Sequence, residues 1–292
     1  KQSQSYKDAY NNAYNDAKSI ANQGALNQLA GKNNPSGYNT LQQAAYNTGQ
    51  TNAQNAYAWA HDDVNNKNKF INNSDASDIF NGAQAGFSDG KLGNVANVTS
   101  QTAVYQAAYN NARSQAGAQT VQAIKDFKAV KDTIYNADQG KNDAESIAYT
   151  NAYDHIKAGF NDQINQNALV DTTGKDSSYK AGILMAKNVQ LGISDASNNP
   201  SRTDYVGTDT QKAAYAATRD GYHDGSYNSN TTMDSSLAPQ KYAYDYAYKL
   251  AKASGLNSAI NGANVYIQAD AQVPAVSADG IAQQKGYNDA QS

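Results

Sequence analysis

Glutamate is almost missing from this chain, cysteine is missing altogether, and no apolar run approaches the ~20 residues that a bilayer crossing requires. The lack of cysteine rules out disulfides, a thiol nucleophile and any Cys-built metal site. Acidity is carried by 25 Asp against the single Glu145, although Glu is the better helix former of the two. Leu, Ile, Val and Phe together number only 40 in 292 residues, too few for a conventional thick core. In a highly charged chain that shortage would signal disorder, but the net charge here is −3. Lys and Arg number 23 and form no stripe, which argues against a phosphate-binding surface and hence against nucleic acid.

What takes the place of the aliphatics is 50 Ala and 22 Tyr, together with 36 Asn. Small and aromatic side chains in that proportion suit helices that approach closely, with rings filling the gaps; the rival expectation is an Asn/Gln/Tyr-rich low-complexity segment. Order is favoured by a word that recurs along the chain. It reads Ala13-Tyr14-Asn15-Asp16-Ala17, Gly86-Phe87-Ser88-Asp89-Gly90, Gly159-Phe160-Asn161-Asp162, Gly221-Tyr222-His223-Asp224-Gly225 and Gly286-Tyr287-Asn288-Asp289-Ala290. A small residue, an aromatic and an Asp at steps of 73, 73, 62 and 65 residues mark an array of like units. The expected units are 1–86, 87–159, 160–221 and 222–292, the last with the start of a further one, as in a piece of a longer array. A second word, Ala108-Tyr-Asn-Asn-Ala112 and its relatives, halves the period to about 30 to 40 residues, so each unit reads as two helices.

Tyr6, Tyr10 and Tyr14 with Ala9, Ala13 and Ala17 place aromatics and alanines on one helical face. Helices are expected near 3–30, 37–65, 75–90, 100–131, 141–166, 177–194, 209–224, 238–261 and 277–291. Ser36, Asp75, Thr99, Asp143, Ser177, Asp209 and Ser277 stand as N-terminal caps, and Gly31, Gly90, Gly174, Gly225 and Gly255 as C-terminal ones. The alternating stretch Lys241–Tyr248 reads as a helix with Tyr242/Tyr246 and Tyr244/Tyr248 on opposite sides, and Val265–Pro274 as an extended linker. The fold class expected is all-α: an elongated array of helical hairpins or small bundles, packed through Ala and Tyr.

Gly86, Phe87, Asp89, Gly159, Phe160, Gly221, Tyr222, Asp224, Gly286 and Tyr287 are expected at structural junctions, the glycines admitting a neighbouring helix and the rings plugging the space beside it. Trp59 and Tyr57 near the end of the second helix, and Tyr242 and Tyr246, are the candidate ligand contacts; Trp59 either stacks on a sugar ring or closes a small core. His61, His155 and His223 lie far apart, and Ser177-Ser-Tyr-Lys180 lacks the companion motifs of penicillin-recognising enzymes. No catalytic, metal or cofactor set is expected, so the chain is not expected to be an enzyme.

The Ala-Tyr-Asn-x-Ala and Gly-Tyr-Asn-Asp-Ala words, the near absence of Glu and the Cys-free array resemble the tandem-repeat regions of large cell-surface proteins of lactic acid bacteria. That resemblance implies an extracellular, wall-attached, adhesin-like module contacting mucin, matrix glycoprotein or glycan, and also adjacent repeats of the same chain, without membrane insertion. A stalk or spacer with no ligand of its own is the alternative.

Overall fold

The computed structural model describes residues 2–62, 74–129, 135, 138–166, 170–226 and 238–268, without the side chains of 255–268. Among them the chain is all-α. Eight helices follow in order: α1 Gln4–Leu29, α2 Thr40–Asp62, α3 Ser74–Leu92, α4 Ala103–Lys128, α5 Ala144–Gln166, α6 Ser177–Asn198, α7 Asp209–Ser226 and α8 Ala238–Gln268. They correspond to the first eight expected; the ninth, at 277–291, lies outside the described residues. Lys241–Tyr248 is helical, with stacked pairs Tyr242–Tyr246 and Tyr244–Tyr248. Val265–Gln268, read as the start of a linker, belongs to α8, because the Ala- and Leu-bearing pattern upstream carries the helix through it.

The caps stand one to three residues from several of the expected positions. Ser3 accepts the Tyr6 N–H, Asp143 that of Ser146 and Asp176 that of Tyr179. Asn39 and Gln42 exchange side-chain-to-backbone bonds at the start of α2, and Thr208 and Gln211 do so at α7, so both helices open on a capping box. Thr102, and not Thr99, caps α4. At the other end, Gly31 and Gly93 have positive φ, and each closes its helix with the paired backbone bonds of a Schellman turn. Gly90 and Gly225, expected as caps, are instead helical residues pressed against a neighbour.

Successive helices pack in pairs, and the order of their contacts gives the direction. Along α3, Gly82, Gly86 and Gly90 meet Tyr105, Tyr109 and Arg113 of α4 in ascending order. Gly221 and Gly225 of α7 meet Tyr244 and Tyr248 of α8 in the same sense. These hairpin-like units therefore differ from an ordinary αα-hairpin: both helices run the same way, and between α3 and α4 the chain returns along the pair. Residues 93–102 make such a return. The Arg113 guanidinium donates to the Asn94 carbonyl at 2.7 Å, and the Ala96 N–H donates to the Tyr109 hydroxyl at 2.8 Å.

The described chain divides into two compact units, Lys1–Ala123 with Thr133–Tyr153, and Ile124–Asp132 with Asp154–Ser292. The expected boundaries at 86, 159 and 221 fall inside α3, α5 and α7, at the recurring word itself. The largest core cluster, in the first unit, contains eleven Ala among its fifteen buried residues, with Ile79, Phe80, Phe87 and Val104 the remainder. A core so poor in large side chains gains little per residue from burial, so close contact has to compensate. Glycine makes that contact. A Cβ added at Gly86 would stand 2.2 Å from the Tyr109 carbonyl oxygen, whereas one at Gly117 would meet nothing within 4 Å.

Two alanine substitutions therefore have opposite signs. Gly86→Ala should destabilise by roughly 1–3 kcal/mol through forced separation of α3 and α4. Gly117→Ala should stabilise by about 0.5–1 kcal/mol, because only chain entropy changes. Urea unfolding of the two variants measures both; equal midpoints would show that Gly86 is not a contact residue.

Candidate functional site

In its three middle copies the recurring word is a three-helix joint. Its glycine and its Asp face the next helix, and its aromatic faces the one before. In α3, Gly86 lies on the Tyr109 backbone and Asp89 accepts the Tyr109 hydroxyl at 2.7 Å. Phe87 points the other way, against Tyr57 and His61 of α2, each 5.8 Å between ring centroids. In α5, Gly159 lies on Tyr179, Asp162 accepts its hydroxyl at 2.5 Å, and Phe160 meets Phe127 edge-on at 5.8 Å. In α7, Gly221 lies on Tyr244, Asp224 accepts its hydroxyl at 2.8 Å, and the Tyr222 hydroxyl lies 3.2 Å from Ser197. Gly286 and Tyr287 lie outside the described residues.

Two joints escaped the sequence reading. The first pair uses Gly24 and Asn27, not Ala13 and Asp16: Gly24 lies on the Tyr46 backbone and the Asn27 amide donates to the Tyr46 hydroxyl at 2.8 Å. Asn serves because a tyrosine hydroxyl can accept as well as donate. In α6, Gly192-Ile-Ser-Asp195 repeats the spacing with an aliphatic in the ring's place. Gly192 lies on Gln211 and Ala214 of α7, while Asp195 is reached by Tyr205 of the return segment at 2.7 Å. Tyr205 stacks on Tyr215 at 4.4 Å, and Tyr215 donates to the Asn199 carbonyl at 2.5 Å. A pattern of Gly-x-x-Asp or Asn, without the aromatic, would have found both.

An Asp in the last helical turn opposes the helix dipole. The tyrosine hydroxyl offsets that by donating to it, and the phenol's own acidity falls in consequence. The bond to Asp162, with burial adding to it, raises Tyr179 to about 12. Burial followed by the Asp89 bond raises Tyr109, and burial followed by the Asp195 bond raises Tyr205 to about 12.

Polar side chains converge elsewhere. The first unit holds two open cavities, of about 510 and about 390 Å³. The larger is bordered by Asn81, Gln84, Ser88 and Lys91 of α3 with Phe87, Ala144 and Ile147. The smaller gathers more polar groups: Gln28 of α1, Gln54, Tyr57 and His61 of α2, Gln115 of α4 and Glu145 of α5. Tyr57 is half-buried there and donates to Gln115 at 2.7 Å; burial and then the Glu145 charge push its pKa up. His61 bonds to Asp62 at 2.7 Å and has Glu145 3.9 Å from its other nitrogen. Burial works against ionisation of Asp143 beside this cavity, but the Ser146 N–H and hydroxyl and the His61 charge hold its carboxyl below the ordinary value. Trp59 is not among the residues bordering the cavity; it is half-buried against the Ala-rich core. Tyr242 and Tyr246 form a stack in the second unit, with Phe160 edge-on to Tyr242 at 6.1 Å and Tyr246 exposed.

Among the described residues no cluster of three or more His, Asp or Glu could share a metal ion, and no helix is long and apolar enough to cross a membrane. No protein-family model matches the chain, and neither a curated protein nor a solved structure shows significant similarity to it.

The raised phenols make stability pH-dependent in a defined direction. Because the folded chain keeps protons at Tyr109, Tyr179 and Tyr205 that the unfolded chain releases, their contribution is complete below the free phenol value of about 10. It is lost as pH rises from there to about 12, the folded value of Tyr179. Tyr179→Phe should lower stability at neutral pH by about 1–3 kcal/mol, since Asp162 loses its donor. The same change should flatten the alkaline fall. A Tyr179→Phe protein with an unaltered alkaline unfolding curve would refute the joint as its source.

Proposed function

We propose that this chain is a non-enzymatic repeat module of a bacterial cell surface, adhesin-like, which binds hydroxyl-rich glycans of host mucin or matrix weakly at each site and gains by repetition. The observation that carries this reading is the 390 Å³ cavity. Carboxamides of Gln28, Gln54, Asn111 and Gln115 converge there with the carboxylates of Asp62 and Glu145 beside the Tyr57 ring. Carboxamides donate and accept at once, as sugar hydroxyls do, and the cavity is too open to enclose a small apolar ligand. Shallow sites of this kind gain about 10²–10⁴ in apparent affinity when linked. The words shared with lactic acid bacterial surface repeats support the extracellular placement.

The spacer reading has its own support. Tyr46, Tyr109, Tyr179 and Tyr244, rings that would otherwise offer stacking faces, are buried and hold the joints instead.

Retention of the whole chain on mucin, matrix proteins and a glycan array distinguishes the two. Gln54→Ala and Glu145→Gln should each weaken retention several-fold with unchanged thermal unfolding, since both side chains border open space. No retention at high micromolar concentration would leave the spacer as the better account.

A further inference from the structure

The N-terminal half of α1 is helical and exposed along its whole circumference, from residue 4 to residue 19. Tyr6, Tyr10 and Tyr14 are 53, 61 and 58 % exposed, although they share one face. No described element covers that face. A helix with nothing to pack against would ordinarily be polar all round.

The residues on this face are those that dock elsewhere. Each described joint seats a Tyr that follows a small residue and has a small residue or Thr three places on: Ala45-Tyr46…Gly49, Ala108-Tyr109…Ala112, Ser178-Tyr179…Gly182, Ala214-Tyr215…Thr218 and Ala243-Tyr244…Ala247. On α1 the pattern appears three times over, as Ser5-Tyr6…Ala9, Ala9-Tyr10…Ala13 and Ala13-Tyr14…Ala17. Ala9-Tyr-Asn-Asn-Ala13 is identical in sequence to Ala108-Tyr-Asn-Asn-Ala112. In the latter copy Ala108 and Ala112 are fully buried and Tyr109 is 1 % exposed, seated on Gly86 and Asp89. The same word has its two alanines and its tyrosine buried in one place and bare in the other.

The sequence also holds a further copy of the Gly-aromatic-x-Asp word. Gly286-Tyr-Asn-Asp289 has the spacing of Gly86, Gly159 and Gly221 with their Asp partners, and it lies in the part of the chain beyond the described residues. We infer that the exposed face of α1 around Tyr10 is a self-association surface, which takes the Gly286–Asp289 segment of a second copy, with Tyr10 donating to Asp289. In the Tyr46, Tyr109, Tyr179 and Tyr244 joints the seat precedes its Tyr by 20 to 23 residues, and in the Tyr109 and Tyr244 joints the partner helices run the same way. Gly286 of one copy followed by Tyr10 of the next reproduces that order. The contact is heterologous, joining head to tail.

Sedimentation velocity on the whole chain, from about 10 µM to about 1 mM, covers the range in which a single helix–helix contact associates. Association rising with concentration is expected. Tyr10→Ser and Gly286→Leu should each weaken it by roughly tenfold or more. Because Tyr10 is exposed, its variant keeps the fold, which circular dichroism verifies. An equimolar mixture of the two variants should recover one junction and stop at a dimer, since one face and one seat remain intact between them. A chain that stays monomeric across the range, or variants that associate like the parent, would overturn the proposal. So would amide protection of residues 4–17 that is independent of concentration and lost in Gly286→Leu, because the seat would then be that of the same molecule.

Discussion

The contact on which the rest depends is between a helical glycine and the backbone of the next helix. At Gly24, Gly86, Gly159 and Gly221 an added Cβ would fall 2.2 to 2.4 Å from the carbonyl oxygen of Tyr46, Tyr109, Tyr179 or Tyr244. Backbones this close leave no room for a layer of Leu or Ile between them. The alanine-rich composition, the scarcity of aliphatics and the thin cores are consequences of one spacing. Ala112 and Ala247 meet Gly86 and Gly221, and one turn on Ala116 and Ala251 meet Gly90 and Gly225, because nothing larger fits.

Close approach alone does not set register, since a glycine can slide along a helix of alanines. The tyrosine hydroxyl does. Three residues after each glycine an Asp or Asn holds the phenol of the very residue whose carbonyl the glycine touches. Backbone contact and side-chain bond thus select the same residue twice, which leaves little tolerance for a shift by one turn. The Tyr109 hydroxyl also accepts the Ala96 N–H, so the returning segment is tied to the same point. The aromatic between glycine and Asp reaches back to the preceding helix, so a four-residue word couples three successive helices.

This economy bears on where a ligand can bind. Rings engaged in joints are withdrawn from the surface, and the polar side chains that border the smaller cavity are mainly carboxamides and carboxylates. Their convergence beside Tyr57 follows from where α1, α2, α4 and α5 bring Gln28, Gln54, Gln115 and Glu145. The repeat explains the scaffold; the cavity arises from residues that do not repeat, which is the usual division between a fold and a site placed on it.

The helices were legible in the sequence because Ala and Tyr recur at helical spacing, and Gly86, Asp89, Gly159, Gly221 and Asp224 were legible as junctions because the word repeats. Gly24 with Asn27, and Gly192 with Asp195, were hidden because the joint requires a glycine and a polar acceptor or donor three residues on, while the ring between them varies. The cap positions shifted by a few residues because Ser, Thr, Asn and Asp crowd every helix start, and only the geometry of the first turn selects one of them. Tyr57 was singled out as an aromatic and proved to be one wall of a cavity whose other walls come from helices distant in sequence. What only the tertiary structure decided was direction. Periodicity is the same whichever way a helix is read, so that α3 and α4 run parallel, and α7 and α8 likewise, followed only from which carbonyl each glycine touches.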